Sequence, residues 1–293
     1  MKVFVTGASG FVGSAVVREL VSAGHQVVGL ARSDASAALI EAAGAKVLRG
    51  SLDDLDSLKS GAATSDGVIH TAYIHNFPNF AESAEADRKA IETIGAALAG
   101  SNRPFIVTGG SGGLTPGRLA TEEDPVPAGM PRVSEQLGLS MASRGVRVSI
   151  MRLPTSVHGE GDHGFVPRLI TIAREKGVSA YPGDGSNRWP SVHRVDSARL
   201  YRLALETAPA GTRLHPIGDE GVPTREIAGV IGRHLNLPIV SVPVEEAGEH
   251  FGWLGRFFAL DMPVSGTLTR QQFNWQPTQP GLIEDLEQGH YFQ

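Results

Sequence analysis

Residues Thr6-Gly7-Ala8-Ser9-Gly10-Phe11-Val12-Gly13 set three glycines at GxxGxxG spacing. They lie between a short β-branched run, Lys2 to Thr6, and a run from Phe11 to Ala23 whose apolar residues recur at helical intervals before Gly24 ends it. A strand that turns this sharply into a helix leaves the first N–H groups of the helix free for an anion. The first glycine permits the turn, the second lets backbone approach a diphosphate, and the third lets helix and strand pack closely. Gly7, Ser9, Gly10, Phe11, Val12 and Gly13 are therefore expected to contact a dinucleotide.

The same alternation continues downstream. Expected strands are Gln26 to Leu30, Ala45 to Leu48, Asp66 to His70, Pro104 to Thr108 and Val146 to Met151. Expected helices are Asp34 to Ala43 closed by Gly44, Asp53 to Leu58, Glu82 to Ala99 closed by Gly100, and Pro131 to Ser143 with Gly145 behind it. Strands that alternate with helices form βαβ units and a parallel sheet. The reading is an α/β chain with a Rossmann-type, doubly wound parallel sheet over residues 1–153. Ligands bind such sheets at the carboxyl ends of the strands, where the strand order reverses. Beyond Leu153 the rhythm breaks at Pro154, Gly159, Gly161, Gly164 and Pro167, and again at Pro182-Gly183-Asp184-Gly185. Helical patterns return at Phe165 to Lys176, Asp196 to Thr207, Thr224 to Leu235 and Leu282 to Gln288. Residues 154–293 are read as a smaller, mixed substrate-binding region, with helix 196–207 packing back on the first domain.

Composition narrows the function classes. A formal charge of −5 over 293 residues argues against a nucleic-acid partner. The lack of cysteine excludes disulfides, thiolate metal sites and a cysteine nucleophile, and fits a cytoplasmic location. No apolar run reaches membrane-spanning length, and the N-terminus leads directly into the first strand. No His-x-x-x-His helix or acidic cluster has metal spacing, so no metal is expected. The partner expected is a small-molecule substrate.

The end of the second strand bears on the choice of dinucleotide. An acid there would hold a ribose 2′-hydroxyl and repel a 2′-phosphate. Gly29-Leu30-Ala31 carries none, and Arg32-Ser33 follows. A guanidinium and a hydroxyl suit a phosphate dianion, so the cofactor expected is NADP. Arg18 in the first helix is a weaker second candidate.

The glycine turn, together with Asp66-Gly67-Val68-Ile69-His70-Thr71-Ala72, resembles the short-chain dehydrogenase/reductase superfamily, in the extended or atypical branch related to NAD-dependent epimerases and dehydratases. Arg152-Leu153-Pro154 with Val157-His158-Gly159, and Val192-His193-Arg194-Val195-Asp196-Ser197-Ala198, are similar to later segments of that branch. The resemblance implies a dinucleotide lying across residues 1–153 and a substrate under the C-terminal region. It puts Ser51 and Leu52 beside the adenine, with Ser51 where the family carries Asp. Thr71, Ala72 and Tyr73 would line the cofactor ribose, and Pro154 and Thr155 the nicotinamide. A homodimer through the helices after strands four and five is the family expectation.

The family's Tyr-x-x-x-Lys is missing. Alignment by the helix puts Pro131 at the tyrosine and Glu135 at the lysine. No Tyr lies between Tyr73 and Tyr181, and no Lys between Lys89 and Lys176. Glu135 is read as a structural ion-pair residue, with Arg132 or Arg152 as partner. Another donor must then serve the substrate oxygen. Tyr73 is the first choice, followed by His75 in the same loop and His158 after the sixth strand. Ser111 sits near the family's serine position, with Thr108 in competition, and Asp87 matches a family active-site Asn. Trp189, Phe251, Trp253, Phe257 and Phe258 suit an apolar pocket, a plain core or a dimer surface equally. The leading expectation is an NADP(H)-dependent oxidoreductase acting on a carbonyl or hydroxyl group. The alternatives are a catalytically degenerate NADP-binding sensor and an epimerase or dehydratase acting on a nucleotide sugar.

Overall fold

The computed structural model describes residues 1–75, 79–129 and 132–293. In chain order the first elements are β1 (Lys2–Thr6), α1 (Phe11–Ser22), β2 (Gln26–Ala31), α2 (Asp34–Ala42), β3 (Lys46–Arg49), α3 (Leu55–Ala63), β4 (Gly67–His70), α4 (Phe80–Leu98), β5 (Pro104–Gly110), α5 (Ser134–Ser140) and β6 (Arg147–Leu153). There follow β7 (Ser156–His158), α6 (Phe165–Lys176), β8 (Ser179–Pro182), β9 (Arg188–His193), α7 (Arg194–Thr207), β10 (Thr212–Leu214), β11 (Asp219–Pro223), α8 (Thr224–Leu235) and β12 (Ile239–Val242). Four shorter helices close the chain: α9 (Ala247–Phe251), α10 (Gly255–Phe258), α11 (Thr267–Phe273) and α12 (Leu282–Glu287).

Two compact units divide these elements. The first holds Met1–Gly109, Val126–Arg152 and Ser197–Leu214. Among the described residues its sheet has seven strands in the order β10-β6-β5-β4-β1-β2-β3. β1 pairs in parallel with both β2 and β4, with Val5 opposite Gly29 on one side and Ile69 on the other. The order therefore reverses at β1, and the doubly wound fold puts its crevice at the carboxyl ends of β1 and β4. Both faces of a parallel sheet must be covered, which is why Val3, Phe4, Val5, Val68 and Ile69 are fully buried.

Local corrections have packing causes. α3 continues past the expected Leu58 because Gly61 lies against the Phe4 ring, where a Cβ would meet ring carbons at 2.6 Å. α5 is shorter than the expected Pro131-to-Ser143 helix, and Met141–Arg144 tighten into a 3₁₀ turn. Pro131 lies outside the described residues.

The second unit holds Gly110–Pro125, Leu153–Asp196 and His215–Gln293. Residues 110–125 thus depart from the expected boundary. Their backbone is tied to a distant segment of the same unit: Gly117 N–H donates to the Asp261 carbonyl (3.0 Å), Ala120 N–H to Pro263 (2.9 Å) and Ser265 N–H to Ala120 (2.8 Å). The buried Glu122 carboxylate accepts from the Thr269 N–H and hydroxyl, each at 2.7 Å. Among the described residues this unit has a three-stranded sheet, β11-β9-β7, and a two-stranded one, β12-β8. Trp189, Phe251 and Phe258 belong to its core, whereas Trp253 and Phe257 are exposed. Among the described residues no helix is long and apolar enough to cross a membrane.

Candidate cofactor and active site

The glycine turn is built to the tolerance of a hydrogen atom. Gly7 has φ +67°, and Gly10 N–H donates to its carbonyl at 2.9 Å. A Cβ on Gly13 would lie 2.0 Å from the Gly7 carbonyl oxygen and 2.9 Å from Thr71 Oγ1. A Cβ on Gly7 would lie 2.7 Å from the Ala72 nitrogen. Thr71 and Ala72 are fixed from below: Thr71 Oγ1 donates to the Thr6 carbonyl (2.7 Å), and Ala72 N–H to Thr6 Oγ1 (3.3 Å). No side chain caps α1, so its first N–H groups remain for a ligand. This cradle fits a dinucleotide diphosphate, and it brings Gly7, Gly10 and Gly13 together with Thr71 and Ala72. Ser9, Phe11 and Val12 are half-buried around the turn.

Beyond β2 the residues differ in what they are free to do. Arg32 is exposed. Ser33 instead caps α2: its hydroxyl accepts the Ser36 N–H at 3.2 Å, and Ser36 Oγ bonds back to the Ser33 N–H. The Ser33 hydroxyl, expected at a phosphate, thus also serves as the cap of this helix. Ser51 Oγ accepts from Asp53 N–H (3.2 Å), and Leu52 packs on the apolar core.

Past β4 the chain assembles a buried polar relay. His70 Nε2 lies 3.1 Å from Asp87 Oδ1, and Nδ1 lies 2.7 Å from Thr6 Oγ1. Asp87 is a carboxylate and can only accept, so His70 donates to it from Nε2. Burial pushes the Asp87 carboxyl up, but the hydrogen bond and charge of His70, with Arg132 and Ser134, outweigh it and hold it below the usual range. Ser134 Oγ donates to Asp87 Oδ2 and accepts from Arg132 Nε at 2.8 Å. Arg132 Nη2 donates to the Thr108 carbonyl (2.8 Å), and the guanidinium carbon stands 4.0 Å from the centre of the Tyr73 ring.

Tyr73 is half-buried, and its hydroxyl oxygen has no hydrogen-bond partner among the described residues. Burial raises its pKa; the Arg132 charge pulls it down and the Asp87 charge adds to the rise. His75 is exposed, edge-on to the Tyr73 ring at 5.2 Å. Two expectations change here. Asp87 is buried beneath this relay rather than open to a substrate. The Thr108 hydroxyl, the competitor of Ser111 for the family's serine position, is buried and bonded to Tyr201 OH at 2.7 Å. Arg132, Ser134 and His70 were missed as members of this cluster. The one readable signal was a histidine ending the otherwise apolar, buried run Gly67-Val68-Ile69.

Glu135, at the lysine position, does not pair with Arg132. It takes Arg152 bidentately at 2.6 and 2.7 Å, and Arg213 at 2.8 Å. Burial pushes its carboxyl up, but Arg152 and then Arg213 hold it below the usual range.

The other expected site residues lie in the second unit. Ser111 is buried, and its hydroxyl and N–H both donate to the Leu153 carbonyl (3.2 and 2.8 Å). Thr155 Oγ1 is buried and unpartnered among the described residues, and Pro154 beside it is buried. His158 sits on β7 rather than in an open loop. It is fully buried, with Nδ1 2.8 Å from Asp285 Oδ2 and the His193 ring edge-on at 5.4 Å. It is a core histidine of that unit, which corrects its expected place over a nicotinamide. Asp196, from the helix-start motif, binds the Thr278 and Gln279 N–H groups at 2.9 to 3.0 Å.

Residues 7–132 match the NAD(P)H-binding family. The chain is 51% identical to an uncharacterized protein of Schizosaccharomyces pombe over the whole of both chains. It is 30% identical, over 72% of this chain and 66% of the other, to the 4-hydroxy-2-methyl-3-oxo-4-farnesyl-3,4-dihydroquinoline-1-oxide ketoreductase of Stigmatella aurantiaca. The dTDP-glucose 4,6-dehydratase of Streptomyces venezuelae, solved with NAD bound, superposes with a TM-score of 0.80 at 20% identity, covering 99% of this chain and 96% of that one. With its glycine cradle, its β1/β4 reversal and these likenesses, the chain belongs to the short-chain dehydrogenase/reductase superfamily, on its epimerase/dehydratase-like side.

Proposed function

We propose that the protein is an NADPH-dependent reductase of a ketone or related carbonyl in a small, partly apolar molecule, with Tyr73 as the proton donor. The Tyr73 hydroxyl carries the reading: it is a buried phenol oxygen with no partner among the described residues, one position past the Ala72 nitrogen that abuts Gly7. An unsatisfied buried hydroxyl costs about 1–3 kcal/mol, which a substrate oxygen would relieve. The nicotinamide, when bound, supplies the hydride. The protein's own share is to bind it at the Gly7–Gly13 turn, hold the carbonyl at the phenol and protonate its oxygen. The likeness to a ketoreductase supports carbonyl reduction.

The test is NADPH oxidation over ketones, aldehydes and quinones. Tyr73→Phe is expected to lower turnover about 10²-fold or more, in line with general acid catalysis, while His75→Ala retains it. Tight NADPH binding without turnover on any substrate would overturn the reading in favour of a nucleotide-responsive regulator.

The choice of NADPH rests on Arg32. Its neighbour Arg49 is bonded to Asp34, whereas no hydrogen bond or ion pair holds Arg32 among the described residues. A charge-assisted contact to a 2′-phosphate is worth about 1.5–3 kcal/mol. Arg32→Ala is therefore expected to weaken NADPH about 10- to 100-fold and leave NADH unchanged, as read by calorimetric titration of both. Equal losses for both would remove the NADP assignment.

A further inference from the structure

We propose that Arg132 is the cation that sets the charge state of Tyr73, and that Asp87, Ser134 and the Thr108 carbonyl hold it in place for that purpose. The inference rests on the reading of Tyr73 as the group that exchanges a proton with the substrate. Arg132 acts through Tyr73 and is a positioning residue.

The geometry has three parts. The guanidinium lies on the ring face, 4.0 Å from its centre, where a positive charge stabilises a phenolate more than a phenol. Its orientation is fixed at two atoms, Nε on Ser134 Oγ and Nη2 on the Thr108 carbonyl. These bonds come from separate elements, so the planar fork cannot rotate off the ring without breaking one of them. Finally, Asp87 Oδ2 stands 3.7 Å from Arg132 Nε, close enough to keep the cation in a site where its side chain is only 23% exposed. Ser134 separates the two: it donates to the carboxylate and accepts from the guanidinium, so the acid anchors Arg132 without a direct short contact.

Among the described residues, these titratable or charged groups face Tyr73. Arg132 comes from the segment before α5, Asp87 from α4, and His75 from Tyr73's own loop, while His70 of β4 stands behind Asp87. Asp87 opposes ionisation of the phenol and Arg132 favours it. Of these groups Arg132 alone carries a fixed positive charge. Removing it leaves burial and Asp87 unopposed. The phenol then holds its proton more tightly and gives it up less readily to a developing oxyanion.

The test requires no turnover. The four tyrosines are replaced by 3-fluorotyrosine, whose phenol ionises at lower pH and which gives a ¹⁹F resonance for each. Loss of a resonance in Tyr73→Phe identifies Tyr73, and its titration midpoint is followed on raising the pH. Arg132→Gln, which keeps donors but removes the charge, is expected to raise the midpoint by about one to two pH units, as expected for a unit charge lost at this range. Arg132→Lys is expected to restore most of the difference. A merely structural Arg132 would move the chemical shift and leave the midpoint where it was, and an unmoved midpoint overturns the proposal. If Arg132→Gln does not fold, Ser134→Ala carries the same test: it removes the acceptor of Nε, so the midpoint must rise by a smaller step, and no rise overturns the proposal. The reductase reading fails separately, through Tyr73→Phe retaining turnover, whatever the midpoint does.

Discussion

Gly13→Ala is expected to abolish dinucleotide binding and to lower the melting temperature. The added Cβ would sit 2.0 Å from the Gly7 carbonyl oxygen and 2.7 Å from its carbon, both backbone atoms that no rotamer change can move. Overpacking costs about 1–3 kcal/mol when side chains can adjust. Here the turn itself must open, which moves the first N–H groups of α1 away from the diphosphate. At roughly 2–4 °C per kcal/mol, the melting temperature should fall by several degrees. Calorimetry should then detect no heat with NADPH or NADH. Gly24→Ala is the control: Gly24 has φ +82° and nothing lies within 4 Å of where its Cβ would stand, so only the backbone cost of roughly 1–2 kcal/mol applies and binding persists. Undiminished affinity in Gly13→Ala would show that the dinucleotide does not lie on this turn.

That turn was readable because its logic is local. Glycine spacing, a strand before and a helix after are all contained in the first two dozen residues, and β1 and α1 form there within a residue of expectation. Local periodicity likewise sets α6 at Phe165–Lys176 and α8 at Thr224–Leu235. It gives no warning of β7, three residues long, or of β9, which contains Pro190 and draws its partners from β7 and β11. Those strands exist because distant segments pair, and no window of sequence contains both sides. The boundary at residues 110–125 failed for the same reason: the partners of Gly117 and Ala120 are Asp261 and Pro263.

Site residues divide along the same line. Tyr73 draws notice in the sequence by its position after β4, but Arg132, which covers its ring, arrives from the far side of α4 and β5. His158 reads as a loop histidine until Asp285, near the C-terminus, buries it. A missing motif is visible in a sequence; the charges gathered around Tyr73 become visible only when the chain is folded.

Glu135→Lys, which writes the family's lysine back into its position, is expected to cripple the fold rather than restore a catalytic pair. Arg152 is fully buried and has Glu135 as its bidentate partner, and Arg213 adds a third charge at 2.8 Å. Removing one partner of a buried ion pair costs about 3–5 kcal/mol, and a third cation in the same site adds repulsion to that loss. Thermal and urea unfolding should show a large drop in stability, with Glu135→Gln falling between the two. The pH dependence has a definite sign. The folded carboxyl lies below its ordinary value of about 4.3, so its contribution is fully present above that pH and is lost as the pH falls through the depressed folded value. The advantage of the parent protein over Glu135→Gln should therefore shrink in acid and stay flat near neutrality. A Glu135→Lys protein that melts within about 2 °C of its parent would mean that Arg152 and Arg213 do not depend on this carboxylate. Otherwise, position 135 is closed to a lysine by its arginines, and on the proposed reading the cation beside Tyr73 is Arg132 instead.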